Sequence, residues 1–348
     1  MQTIWFIILS FLLIGYTVLD GFDLGVGILF PFIAKTEKER SLALQAIGPV
    51  WDGNEVWLVA AGGVLFFAFP KAYASAMSGL YLAIFMILWL IILRALSIEL
   101  RVQLDNALWR AFWETVFFAA SLGLAFLLGS AFGDLLRGFS LDASGHFFLP
   151  LWTKLQPRIP LGILDWFTLL IGVLAVNLIA LHGANYLILK TEADLQTRAK
   201  HLASRLVWSS GALLLVGMLL TPLIQPRLGD HLLQAPWGFT FPFIALLMWA
   251  LLLHSLRRKR SEPLPLAYST ILIASLLASA FFALYPNILI SLNSPAHSLT
   301  VFNTAASPYG LKTGLVWFLF GLLLLLTYTG YVYRSFWGKV TDADKEGY

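Results

Sequence analysis

The sequence predicts an all-α integral membrane protein of about nine transmembrane helices: two four-helix bundles plus one peripheral helix, with the N-terminus outside and the C-terminus cytoplasmic. Three observations predict it. Of the 348 residues 59% are hydrophobic and 12% charged, with a mean hydropathy of +0.80, too little polar surface for a water-soluble core of this size. The apolar residues form continuous runs of about 20, long enough for a bilayer-spanning helix, and not the alternating ten-residue segments of an outer-membrane barrel. The basic residues are segregated onto alternate connections.

The runs lie at roughly 4–33, 50–69, 73–96, 110–134, 163–189, 205–225, 238–256, 264–290 and 313–336. Their odd number puts the termini on opposite sides. With the N-terminus outside, the segments 35–40, 94–110, 190–205, 257–260 and 334–345 are cytoplasmic and hold 17 of the 23 Lys and Arg. Six remain outside, Lys71, Arg137, Lys154, Arg158, Arg227 and Lys312, the positive-inside pattern. These loop cations set the pI of about 9.2 and suit anionic lipid, not nucleic acid. The first run lacks a basic n-region and a small-residue cleavage site, which marks a retained helix. The long external connections, Arg137 to Leu161 and Asn287 to Ser307, are rich in turn residues, and Trp152, Trp166, Tyr285 and Tyr309 suit the interfacial aromatic belt.

A weak internal repeat joins spans one and five. Asp20-Gly21-Phe22-Asp23-Leu24 matches His182-Gly183-Ala184-Asn185-Tyr186 at an offset of 162, and Lys-Thr-Glu follows each, at 35–37 and 190–192. Halves of about 1–134 and 163–290 with an extra helix at about 313–336 explain both the echo and the helix number.

Two stretches place charge where lipid penalises it. Asp20 and Asp23 lie about 24 and 28 Å from a start near Ile4, in the cytoplasmic third of span one and on one helix face. Span two opens Pro49-Val50-Trp51-Asp52-Gly53-Asn54-Glu55-Val56-Trp57, with Pro49 expected in the first turn and Asp52 and Glu55 on one face. Glu114, four residues after Arg110, and His182 lie near the same side, whereas the outer half offers only span-end carboxylates such as Asp134 and Asp165. A carboxylate at mid-depth costs about 2.5 to 3.5 kcal/mol. Hydrogen bonding to neighbouring helices, or capping of span two, is one use for these groups; a proton or cation inlet open to the cytoplasm is the other.

With no Cys, the chain excludes disulfides, thiolate metal sites and iron–sulfur ligation. Among the six His only His182 lies deep in a span, and a haem on it would need Met77, Met86 or Met218 as second axial ligand, all in runs that read as packing positions. No Walker, Rossmann, zincin or nucleophile-elbow pattern occurs.

Residues 20–27 (Asp-Gly-Phe-Asp-Leu-Gly-Val-Gly) and 49–58 (Pro-Val-Trp-Asp-Gly-Asn-Glu-Val-Trp-Leu), then Ala61-Gly62-Gly63 and Phe69-Pro70, closely resemble subunit II of cytochrome bd-type quinol oxidases, and His182 to Leu187 looks like that family's fifth-helix pattern. The resemblance implies a bacterial inner-membrane complex that oxidises quinol and reduces oxygen to water. It implies that b-type haems and a d-type haem, or a b-type in its place, are held by a partner, subunit I, in a heterodimer. It also implies a structural quinone in some members and room for small single-span subunits. The family's aspartate matching Asp52 leads protons from the cytoplasm toward the haems. Asp20, Asp23, Asn54 and Glu55 are then further members of the path, with Trp51, Trp57, Glu114 and His182 in support, and position 55 alternates between Glu and Gln in the family. A second class of function, an ion-coupled secondary transporter with the buried acids as its ion site, requires inverted repeats, whereas this repeat joins spans of one orientation.

Overall fold

The computed structural model describes residues 1–258 and 261–340. Lys259, Arg260 and Lys345, three of the expected cytoplasmic cations, lie outside the described residues. The described residues fold into twelve α-helices and one two-stranded sheet. Among the described residues eight helices are long and apolar enough to cross a membrane: α1 (Gln2–Ile33), α5 (Tyr81–Leu100), α6 (Ala107–Arg137), α7 (Trp166–Lys190), α8 (Ala193–Ile224), α10 (Thr240–Arg258, entered through a 3-10 turn), α11 (Pro263–Leu284) and α12 (Pro308–Ser335).

α3 (Trp51–Ala68) is less apolar, because Asp52, Asn54 and Glu55 occupy its first turns. It nevertheless runs antiparallel along α1: Phe67 meets Trp5 at 5.3 Å between ring centroids, Trp57 meets Phe11 at 5.7 Å, and Asn54 bonds Asp23. α3 therefore covers the same depth as the Trp5-to-Asp23 part of α1.

Several boundaries differ from the sequence expectation. Helix α3 begins at Trp51 with Val50 as its N-cap, so Pro49 sits in the turn before it and not in its first turn. The run 73–96 is divided at Leu80 between α4 (Pro70–Gly79) and α5, while α8 starts twelve residues earlier than the apolar run. Two short helices were not expected: α9 (Pro226–Gln234) and α2 (Glu37–Ile47). α2 opens on a capping box in which Thr36 and Glu39 satisfy each other's backbone N–H, a Thr-x-x-Glu signal that the search for apolar runs passes over.

α1 packs on α3, α6 and α7, and α5 on α6; α7 packs on α8 and α11, with α10 against α8 and α11. The two pentads that echo each other in sequence meet face to face at the centre. A Cβ on Gly25 would run into the backbone of Gly183, and one on Gly183 into that of Gly25. Helices in lipid associate through such close backbone approaches, since burial against lipid-like neighbours gives little drive. Phe22 stacks on Tyr186 beside this crossing, 4.0 Å between centroids at 12°.

The connections at the N-terminal end form a packed cap. Phe139 N–H donates to the Ile290 carbonyl and Leu292 N–H to that of Phe139, both at 2.8 Å, next to the pairing of β1 (Asn287–Leu289) with β2 (Leu299–Thr300). Trp152 and Tyr309 are exposed there and Tyr285 bonds Thr3 at 3.0 Å. Arg137 is not a loop cation. It is fully buried with Asp134 at 2.7 Å and Asp165, whose carboxylate also caps α7 through Phe167 N–H at 2.8 Å. Buried charge is thus present at this end too, as a closed knot joining α6 to α7.

Candidate functional site: a buried cluster of carboxylates around Arg94

The second concentration of buried charge is open at the opposite end. α1 supplies Asp20 and Asp23, α3 supplies Asn54 and Glu55, α5 supplies Arg94 and α12 supplies Tyr333. Arg94 has no solvent exposure; its Nη1 lies 2.7 Å from Asp20 Oδ1 and its Nη2 pairs with Glu55. Asn54 Nδ2 donates to Asp23 Oδ2 at 2.7 Å and to the Leu19 carbonyl at 3.2 Å, and the Tyr333 hydroxyl donates to Asn54 Oδ1 at 3.0 Å. Asp23 Oδ1 is buried without a hydrogen-bond partner among the described residues. One guanidinium thus pairs with two carboxylates of a cluster of three.

The cluster grades from surface to interior along α3. Asp52 is exposed, makes no capping bond, and precedes Glu55 by three residues on one helix face. Glu55 is partly exposed, at 20% of its side chain, and Asp20 and Asp23 are closed off. Trp51 and Trp57 are both buried; Trp57 lies over Gly15 of α1, where a Cβ would displace it, so both act in packing α3.

Two sequence candidates lie elsewhere. Glu114 accepts from Arg40 at 2.6 Å and Arg101 at 2.9 Å and does not pair with Arg110, which turns to Asp105 at 2.7 Å. Glu114 therefore fastens α2 to α5 and α6 and stands apart from the cluster. On the far side of α2, partial burial raises the Glu39 carboxyl, but the Thr36 and Lys35 N–H groups and the Arg198 guanidinium outweigh it and hold it below the usual range. His182 is fully buried with both ring nitrogens engaged, Nδ1 with Ser269 Oγ at 2.7 Å and Nε2 with the Val18 carbonyl at 3.0 Å. Neither nitrogen is open to an iron, and no group of three His, Asp or Glu fit for a metal occurs among the described residues.

Sequence reasoning missed Arg94 by counting it with the cytoplasmic cations. The signal was available: it is the one charge in the run from Tyr81 to Ile98, and an arginine inside lipid needs carboxylate partners. Tyr333 gave no such signal, since a tyrosine near a helix end is ordinary belt composition.

Fold and cluster define a polytopic helical membrane protein with an arginine–carboxylate cluster at one end. The chain belongs to the family of cytochrome bd terminal oxidase subunit II, whose model matches residues 1–336. It is 30% identical to the probable cytochrome oxidase subunit 2 of Haemophilus influenzae, covering 98% of this chain and 95% of that one. Subunit 2 of the Escherichia coli K12 cytochrome bd-I ubiquinol oxidase is 29% identical, covering 99% and 97%, and that of the Bacillus subtilis cytochrome bd ubiquinol oxidase 29%, covering 90% and 88%. The solved bd oxidase of Geobacillus thermodenitrificans shares the fold, with a TM-score of 0.76 at 18% identity over 97% of this chain and 98% of that chain. The protein is a multi-pass subunit of a bacterial inner-membrane oxidoreductase complex, and nothing in these likenesses supports a transporter.

Proposed function

We propose that this chain is the haem-free half of a quinol oxidase heterodimer, and that the graded cluster from Asp52 to Asp20 and Asp23 is the proton inlet for oxygen reduction on the partner. Reducing one oxygen molecule to water consumes four protons, which need titratable groups leading in from the protein surface. The observation that carries the reading is the sequence exposed, partly exposed, buried along Asp52, Glu55 and Asp20, with Arg94 binding the last two. Arg94 balances one carboxylate and keeps Asp20 and Glu55 together; the remaining acids hold the mobile protons.

The haems belong to subunit I on this reading, because His182 has no nitrogen to give. Subunit I docks on the exposed stripe of α3, Val56, Val59 and Phe66, which continues the face on which Asp52 stands. The orientation follows the basic residues, with the cluster and α2 on the cytoplasmic side. An apolar cavity of about 1110 Å³, lined by Leu9, Leu128, Met218, Phe243, Leu246 and Leu277, suits the isoprenoid tail of a structural quinone. The halves 1–134 and 163–290 read as a duplication whose copies cross at Gly25 and Gly183.

The test is turnover of the purified complex carrying Asp52→Asn or Asp20→Asn, with haem measured by absorption. Both variants are expected to keep their haem and lose most of their quinol oxidase rate. Full rate with full haem in both would refute the inlet.

A further inference from the structure

α12 is the least embedded of the long helices, with Leu311 its one fully buried residue, yet it delivers a polar group to the cluster. An amide oxygen only accepts, so the Tyr333 hydroxyl donates to Asn54 Oδ1, and it is the one anchor on that oxygen among the described residues. This bond fixes which way the amide points. Nδ2 is turned to Asp23 Oδ2 at 2.7 Å, with the Leu19 carbonyl a longer second acceptor at 3.2 Å. With Oδ2 occupied by a donor, Asp23 is left with Oδ1 as its buried oxygen without a hydrogen-bond partner among the described residues.

Tyr333 is itself held from two sides. Its ring stands edge-on to Phe22, 6.4 Å between centroids at 84°, and Phe22 is fixed by its stack on Tyr186, whose hydroxyl donates to the Ala46 carbonyl at 2.5 Å. Behind it, residues 336–340 strap the end of α12 across the junction of α7 and α8. Lys190 Nζ donates to the Phe336 carbonyl at 2.6 Å, Val340 N–H to the Lys190 carbonyl at 2.9 Å, and Lys339 Nζ pairs with Glu262 at 2.8 Å.

We propose that Tyr333, seated by this C-terminal strap, is a positioning residue for the proton path: it orients Asn54 so that Asp23 presents Oδ1 to the incoming proton. The proposal rests on the reading of the cluster as that path.

The test uses the complete oxidase. Tyr333→Phe keeps the ring on Phe22 and removes only the hydroxyl. The expected result is unchanged haem content and unchanged KM for quinol, with kcat lowered roughly 3- to 10-fold, the scale of one buried hydrogen bond. Because Tyr333 acts through Asn54, the same substitution in an Asn54→Ala background should lower kcat no further. A purely structural role would lower yield in both backgrounds and leave the rate per haem alone, so all rates are taken per haem on the assembled fraction. Wild-type kcat in Tyr333→Phe, or effects of the two substitutions that simply multiply, would overturn the proposal. Asp23→Asn separates the levels: if it turns over normally the path itself fails, and if it is slow while Tyr333→Phe is normal, the positioning role alone fails.

Discussion

Arg94 and Asp20 meet at 2.7 Å with both side chains closed to solvent, and the same guanidinium holds Glu55, so one arginine ties α5 to α1 and α3. Removing it leaves two carboxylates without a counter-charge, and breaking a buried pair from one side costs about 3 to 5 kcal/mol. Arg94→Met should therefore lower the melting temperature of the purified complex markedly, and adding Asp20→Asn should restore part of it. A melt like that of the wild type would show that the pair does not hold the helices.

His182 joins α7 to α1 and α11 through the Val18 carbonyl and Ser269. His182→Ala is expected to leave every haem band of the assembled complex in place while lowering its stability by about 1 to 3 kcal/mol, the loss of two buried hydrogen bonds. Selective loss of one b-type band with assembly intact would assign this chain a haem ligand.

The strap should open in acid. The Lys339 hydrogen bond holds Glu262 below the usual glutamate range; partial burial opposes this and Gln196 adds to it. A carboxyl depressed in the folded state stabilises fully above its ordinary value, about 4.3, and that contribution is lost as pH falls through the folded value. Proteolysis within residues 336–340 should accelerate below about pH 4, and Glu262→Gln should be cleaved readily at neutral pH with little further change on acidification. Equal rates for wild type and Glu262→Gln at neutral pH would show that the pair does not secure the strap.

Orientation rests on the segregation of the basic residues: with the buried Arg94 and Arg137 set aside, 16 of the remaining 21 fall in the segments read as cytoplasmic. A reporter fused after Tyr348, itself outside the described residues, should read cytoplasmic, and one fused ahead of Met1 periplasmic.

What the sequence made legible, and what it hid, follows from the physics of lipid. Long apolar runs with few alternatives to a helix located the crossing helices to within a few residues at most ends. The acids Asp20, Asp23 and Glu55 stood out because a carboxylate in such a run needs a partner, and the structure brings the three together. Arg94, the partner of Asp20 and Glu55, was misassigned because it lies two residues from the expected end of its span, where arginine usually snorkels to the interface. Glu114 was placed with the wrong arginine, since spacing within one helix identified Arg110 while Arg40 and Arg101 come from other elements. Tyr333 reaches Asn54 across 279 residues and Phe336 of the strap reaches Lys190 across 146, which no local pattern encodes.

The inlet is tested most directly by proton uptake. Wild-type and Asp52→Asn oxidase are reconstituted in vesicles with a pH indicator on the Asp52 side, and oxygen is given to the quinol-reduced enzyme. The account predicts that Asp52→Asn, with full haem content, takes up protons and turns over more slowly by the same factor. Proton uptake at the wild-type rate in Asp52→Asn would contradict it.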